Sequence, residues 1–354
     1  MPPRWAGPLA ATVVLGLVNL VPMAAHAADR IVVRPGESIQ AAVDRAKPGD
    51  VVSVEPGFYR GSVQVTVPRL TLKGSGPGTV IAPSLAGNEN ACAQAGHGLC
   101  ITGTADHEAS GVRLRDFSVV GFKKNGVNAT WADRIDVRRV TARDNGQQGI
   151  SLEKSVRGVF RNNDSENNGE SGIFLANTVD SEGGALDTQG AVVRDNRLAG
   201  NRVGVVLRRV RNMLVANNRI TENCGGVFVV GDENVPRAGE LTVRGNLVAE
   251  NNKYCASNGR LPFIQGVGIL LTGAEKTVVT GNQVLGNAGT SPMSGGVVLF
   301  RSNVGVANSG NTIRQNLAQG NAPADLADRD AGAGNIFSGN SCHASEPTGR
   351  CTAP

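Results

Sequence analysis

The sequence predicts an all-β solenoid in which short strands stack coil upon coil, and three observations carry that prediction. The first is composition. The 354 residues include 47 glycines and 16 prolines, with 40% hydrophobic, 4% aromatic and 18% charged residues. So much glycine with so few aromatics excludes an ordinary helical or α/β enzyme, and the apolar fraction is too high for a disordered chain. Collagen is excluded because glycine has no three-residue period and proline is scarce. The second observation is a glycine followed by an apolar-x-apolar triplet, or a close variant. It recurs at Gly98–Ile101, Gly126–Ala129, Gly149–Leu152, Gly172–Leu175, Gly204–Leu207, Gly226–Val229, Gly268–Leu271 and Gly296–Leu299. The steps are 28, 23, 23, 32, 22, 42 and 28 residues, a base near 22 or 23 with insertions. The third is asparagine in two further registers. Asn163, Asn196, Asn218, Asn246, Asn282 and Asn316 are each followed five residues later by Asn168, Asn201, Asn223, Asn251, Asn287 and Asn321, with Asn145 one coil earlier.

Residues 1–27 predict a cleavable export signal. Arg4 supplies a basic start, Leu9–Val21 is apolar apart from Thr12, Gly16 and Asn19, and Ala25-His26-Ala27 is a small-x-small cleavage site. Pro8 and Pro22 bracket too few residues for a membrane anchor, which needs about 20. No later segment is apolar enough to span a bilayer, so a secreted or cell-envelope protein is expected. The mature domain, 28–354, then carries 34 Lys+Arg (35 less Arg4) against 30 Asp+Glu, a net +4 that is too weak to indicate nucleic acid. Next, 38–46 predicts a short helix plugging the first coil. Ile39, Ala42, Val43 and Ala46 share one face behind a Ser38 N-cap.

Beyond the helix the repeats define the elements. Alternation over three to five residues marks a short strand with one face buried. Three such strands per repeat, ended by Gly or Asn, suit a chain that turns and stacks on itself, since both residues tolerate left-handed backbone. Asparagine at one place in every coil stacks as a ladder of side-chain amides. Nine or ten coils at about 4.8 Å each give a rod roughly 45 Å long. Residues 342–354 are expected to cap the far end. All six cysteines lie in the mature region, and an even count in an exported chain predicts disulfides. Fifteen connectivities are possible; proximity favours Cys92 with Cys100, Cys224 with Cys255 and Cys342 with Cys351. The absence of a CxxC spacing, with only His97, His107 and His343 beyond the signal, argues against zinc or copper.

The stretches Val33–Val43 and Gly49–Tyr59 are similar to the opening of right-handed parallel β-helix proteins of the pectate-lyase-like superfamily. The repeats from Gly98 to Asn340 resemble those of NosD-like proteins, polysaccharide lyases and mannuronan C5-epimerases. The resemblance spans nearly the whole mature chain and implies one right-handed, single-stranded parallel β-helix. It implies a fold more than an activity, because this scaffold hosts lyases, hydrolases, epimerases and inert fibres.

In the resembled enzymes, polymer lies along the strand with the Gly-apolar-x-apolar pattern. Here alternation turns outward Asn128, Thr130, Ser151, Glu153, Phe174, Val206, Arg208, Phe228, Leu270, Thr272, Val298 and Phe300, polar first and largely apolar later. The loop 251–266 is the expected cover for the apolar part. The alternative is a binding surface for a partner or an apolar ligand, which would suit a tailoring isomerase using Phe174, Val206, Phe228 and Phe300. Acid–base groups sit on the loops that follow the strand. Uronate elimination or epimerisation needs a base for the proton α to a carboxylate and a cation for the developing charge. The candidate catalytic set is Asp106, His107, Glu153, Lys154 and Arg208, with His107, Lys154 or an arginine as base. The candidate substrate-binding set is Asn128, Trp131, Arg134, Asp180, Arg138 and Arg161.

Three departures oppose a direct transfer of activity. Mannuronan epimerases read like Tyr-Gly-Phe-Asp-Pro-His on this strand, whereas Asn128 and Thr130 stand where the Asp and His would be. Gly96-His97-Gly98 matches a polygalacturonase motif but has none of its carboxylate partners, and aromatic platforms for sugars are few. A copper role would need more ligands than Met213 and Met293 supply. One feature points to a polyanion. Arg115, Arg138, Arg161, Arg194, Arg244 and Arg314 share a slot of successive repeats, so that stacking brings like charges within roughly 5 Å. Either Asp116, Asp144, Asp164 or Asp195 pairs with them, or an acidic polymer such as a uronan, teichoic acid or anionic capsule does. The expected function is therefore binding or modification of an acidic polysaccharide or cell-envelope polymer, the alternative being a non-catalytic surface module. No cofactor is expected; Ca²⁺ rests on Asp180, Glu182 and Asp187 alone.

Overall fold

The computed structural model describes Met1, Pro3 and residues 28–352, except for 87–89, 179–180, 260 and 331. The cleavage site after Ala27 and the candidate residue Asp180 thus lie outside the described residues. From Arg30 onward the chain winds as predicted. The Gly-apolar-x-apolar segments form one sheet of eleven parallel strands, from Val63–Val65 through Leu99–Thr102, Val127–Thr130, Ile150–Glu153, Ser171–Ala176 and Val203–Arg208. It continues through Gly225–Val230, Val267–Thr272, Gly295–Phe300 and Leu326–Arg329 to Ser345–Glu346. Three of these strands lack the signature glycine, with Ser62, Asp325 and Ala344 in its place, and the sheet thereby exceeds the nine or ten coils expected.

The second and third faces are joined in a 20-stranded sheet. Arg113–Val120 and Asp136–Arg143 bend through the corner unbroken, whereas Val159–Arg161 and Asp164–Glu166, one coil on, are separate strands. The break coincides with Asn163, where the first asparagine ladder begins. Asn163, Asn196, Asn218, Asn246, Asn282, Asn316 and Asn340 are all buried. Each of the first six donates its backbone and side-chain N–H to the next Oδ1 at 2.9–3.1 Å. The second ladder runs from Asn145 to Asn321 and ends on Asp325. A carboxylate fits that last position because Asp325 needs only to accept, taking Asn321 with Oδ1 and the backbone N–H of His343 and Ala344 with Oδ2. These amides satisfy the buried backbone groups that each corner would otherwise strand.

Inside the coils, inward residues form aliphatic files such as Ile150, Ile173, Val205, Val227, Ile269 and Val297, all unexposed. Each coil buries this face only against its neighbours, so stability is close to one-dimensional and the ends need caps. The helix Ile39–Arg45 closes the first coil with Ile39, Ala42 and Val43 buried, and Ser38 Oγ accepts the Ala41 N–H at 3.1 Å. At the far end Cys342 joins Cys351, and Arg350 bonds Asp328 at 2.8 Å while lying over the Phe337 ring. The other bridges are Cys92–Cys100 and Cys224–Cys255, the pairing that proximity favoured.

Candidate functional site

Strand register places the outward residues of the first sheet in two files. One contains Asn128, Ser151, Phe174, Val206, Phe228, Leu270 and Val298; the other contains Thr130, Glu153, Ala176, Arg208, Val230, Thr272 and Phe300. The first file turns from polar to apolar along the rod while the second stays mixed, and the two halves of the sheet have different fates.

The apolar half is sealed by the chain itself. Phe228, Leu270 and Val298 are 1% exposed or less and pack with Val203, Ile264, Val267 and Met293 in a second hydrophobic cluster outside the coils. The 251–266 loop lies over them. Cys255 and Ile264 exchange backbone hydrogen bonds at 2.9 Å, Cys224–Cys255 ties the loop to the sheet, and Arg202 Nη1 bonds the Ala256 carbonyl at 2.8 Å. Loop cover is thus the observed outcome for Phe228, Leu270 and Val298, while Val206 and Phe300 stay partly exposed at the edge of the cluster. Replacing both Cys224 and Cys255 by serine is expected to cost about 3 kcal/mol. It should also make 252–263 the first site of protease cleavage and raise binding of an apolar dye. Unchanged protection of the loop would show that its packing alone holds it down.

The polar half stays open. Asn128 and Glu153 are partly exposed on its floor, beside Thr130 and the almost buried Ser151. Asn128 is oriented by Asn125, whose Nδ2 donates to its Oδ1 at 2.8 Å; Asn125 Oδ1 in turn accepts the Gln148 N–H at 3.1 Å. Cations border the strip at both strand ends. The turn entering Val127–Thr130 presents Lys123 and Lys124, both exposed. The turn leaving it presents Trp131, and Lys154 from the next coil places Nζ 5.4 Å from the centre of that ring. Trp131 and Lys154 have φ near +50°, but so do Arg209, Lys276 and other residues at such corners, so the strain belongs to the winding and not to a site. Beside the strip, His97 Nδ1 accepts the Asn125 N–H at 3.2 Å, and burial, then the Lys124 charge, lower its pKa to about 4. A neutral imidazole used as an acceptor positions Asn125 and is a poor base near neutrality.

A family model described as "Right handed beta helix region" matches residues 59–185 and 177–303, more than half of the chain. The chain belongs to the right-handed β-helix family. No curated protein matches it in sequence. Among solved structures it is similar to a double mutant of the periplasmic alginate epimerase AlgG, at 14% identity and TM-score 0.62, over 88% of this chain and 77% of that one. It is also similar to the Azotobacter vinelandii mannuronan C-5 epimerase AlgE4 A-module, at 16% identity and TM-score 0.54, over 89% and 94%. A DFA-IIIase mutant from Arthrobacter chlorophenolicus A6 aligns at 14% identity and TM-score 0.62, over 88% and 84%. At these identities the likeness is one of fold.

In this β-helix the residues singled out from sequence separate into groups. Asn128, Trp131, Glu153, Lys154 and Arg208 lie on or beside the open strip. Asp106 and His107 stand exposed on the turn after Leu99–Thr102, where Thr104 and His107 exchange backbone hydrogen bonds. Arg134 instead pairs with its neighbour Asp133, whose other oxygen accepts from Arg157 at 2.6 Å. Arg138 and Arg161 are on the second face. Of the residues considered for calcium, Asp180 lies outside the described residues, Glu182 accepts from Arg209 and Asn234, and Asp187 from Gln189 and Asn212. No group of three metal-binding side chains occurs among the described residues. Lys123 and Lys124 escaped the sequence argument; their signal was two lysines immediately ahead of the Asn125–Gly126 corner.

Proposed function

We propose that this β-helix is an exported protein that holds an acidic polysaccharide along the open half of its first sheet. The observation that supports this is an open polar strip bordered by Lys123 and Lys124 at one strand end and by Trp131 with Lys154 at the other. Amide and hydroxyl groups on the floor suit sugar hydroxyls, the lysines suit carboxylates, and Trp131 offers a face to a sugar ring. The alginate and mannuronan epimerases among its structural neighbours favour a polyuronate. Export places the mature terminus after Ala27, which N-terminal sequencing of the secreted protein checks.

The test is retention on polygalacturonate and alginate against neutral dextran. Wild type should be held by the acidic polymers at low salt and released as salt screens the contacts, and Lys123→Ala/Lys124→Ala should bind several-fold more weakly. No retention on any acidic polysaccharide would overturn the proposal. Glu153 and Lys154 on one coil, with Arg208 two coils further on, favour a catalytic form of the same reading. A base would take the uronate C5 proton while a cation held the charge on the carboxylate. Return of a proton to the opposite face gives the epimer, and loss of the O4 substituent gives the unsaturated uronate. Deuterium uptake at C5 and absorbance of unsaturated uronates read the two outcomes; with neither, the strip binds without turnover.

A further inference from the structure

The second face carries a file of cations that the first-sheet strip does not use. Lys73, Arg115, Arg138, Arg161 and Arg194 are register partners on successive coils, and Arg244 and Arg314 continue the file past Ala216 and Thr280. Neighbours are one rung, about 4.8 Å, apart. The carboxylates expected to neutralise the file mostly turn elsewhere. Asp116 goes to Arg139, Asp144 to Arg143 and Asp164 to Arg197, while Asp195 pairs with Arg194 at 3.0 Å. Asp136, not foreseen as a partner, serves both Arg115 at 3.2 Å and Arg138 at 2.5 Å. Arg161 has no ion-pair partner among the described residues, and its Nε is buried without a hydrogen bond. Arg244 and Arg314 are exposed and likewise lack a carboxylate partner among the described residues.

Like charges this close repel unless an anion of matching repeat lies among them. The neighbouring outward file presents Val159, Val192 and Leu214, each partly exposed, as an aliphatic track beside Arg161, Arg194 and Ala216. We propose that the arginine file and this track form a second binding site for a linear polyuronate, laid along the rod axis on a different face from the first-sheet strip. Consecutive sugars of an extended 1,4-linked polyuronate advance by about one rung and alternate in facing, so every second or third carboxylate meets an arginine of the file. The planar guanidinium fork grips a carboxylate through two parallel bonds. The aliphatic track takes the C–H faces of the rings.

The experiment measures the affinity of the mature protein for polygalacturonate as a function of salt, with linear polyphosphate and double-stranded DNA as competing probes. Arg161→Gln/Arg244→Gln/Arg314→Gln should weaken polygalacturonate binding by roughly tenfold at low salt and flatten the log–log salt slope by about two to three contacts. Because Arg161 is half-buried, Arg244→Glu and Arg314→Glu serve as fully exposed charge reversals. Each should weaken binding with an unchanged melting temperature. Wild-type affinity in all these variants would overturn the proposal, as would tighter binding of polyphosphate or DNA than of polygalacturonate. The first-sheet reading fails separately, through Lys123→Ala/Lys124→Ala.

Discussion

Replacing Asn246 by alanine is expected to lower stability by about 4 kcal/mol and the melting temperature by several degrees. Asn246 Oδ1 accepts both the backbone and the side-chain N–H of Asn218, and its Nδ2 donates to Val215 O and to Asn282 Oδ1. The alanine variant strands these groups in a corner where Asn218, Asn246 and Asn282 are each 1% exposed, and each stranded group costs about 1–3 kcal/mol. Asn246→Asp should fare no better in mid-ladder, since its Oδ2 would face the Val215 carbonyl with no proton between them. At the end of the second ladder, where the last side chain only accepts, the protein itself uses Asp325. Urea unfolding followed by far-UV circular dichroism measures the loss. A shift of under about 1 kcal/mol would mean that water replaces the amide and that the ladder is not what holds the corners.

Gly149→Val is expected to abolish soluble folded protein. A Cβ at Gly149 would lie 2.0 Å from Ser165 Oγ, 2.8 Å from the Gly172 carbonyl oxygen and 2.9 Å from Asn168 Nδ2. None of these can retreat, because Ser165 Oγ donates to Gly172 O at 2.9 Å and accepts from Asn168 Nδ2 at 3.1 Å, inside the second ladder. The insertion therefore combines overpacking with broken buried hydrogen bonds, and together they exceed about 4 kcal/mol. Gly78→Ala is the matched control: nothing lies within 4 Å of its Cβ position, and it should be expressed and melt like wild type. If Gly149→Val remained soluble with a native melting curve, the signature glycine would not reflect close approach between coils.

These two residues also show why the winding could be read from the chain. The glycine is demanded by the backbone of the next coil and the asparagine by the corner, and every coil repeats both demands, so they surface as a period. Both ladders were legible for that reason, whereas the helix at 38–46 and the three disulfides were read from local signals, an apolar helical face and the proximity of cysteines. Asp136 and Lys123 were not. Asp136 serves Arg115 through a one-rung register that spans 21 residues of sequence, and loop lengths that vary from coil to coil hide such neighbours. Asp116 and Asp144 sit where simple proximity suits the arginine file, yet left-handed corners aim them at Arg139 and Arg143.

By itself, then, the sequence determined that this chain coils, how many residues each turn takes, and which side chains face outward. It does so because those properties depend on backbone sterics and hydrogen-bond satisfaction within one repeat and its neighbour. Only the tertiary structure decided which outward residues stay accessible and which arginines keep unanswered charge. Those outcomes turn on where non-repeating loops such as 251–266 fold back and on side-chain geometry at the corners, and neither leaves a periodic trace.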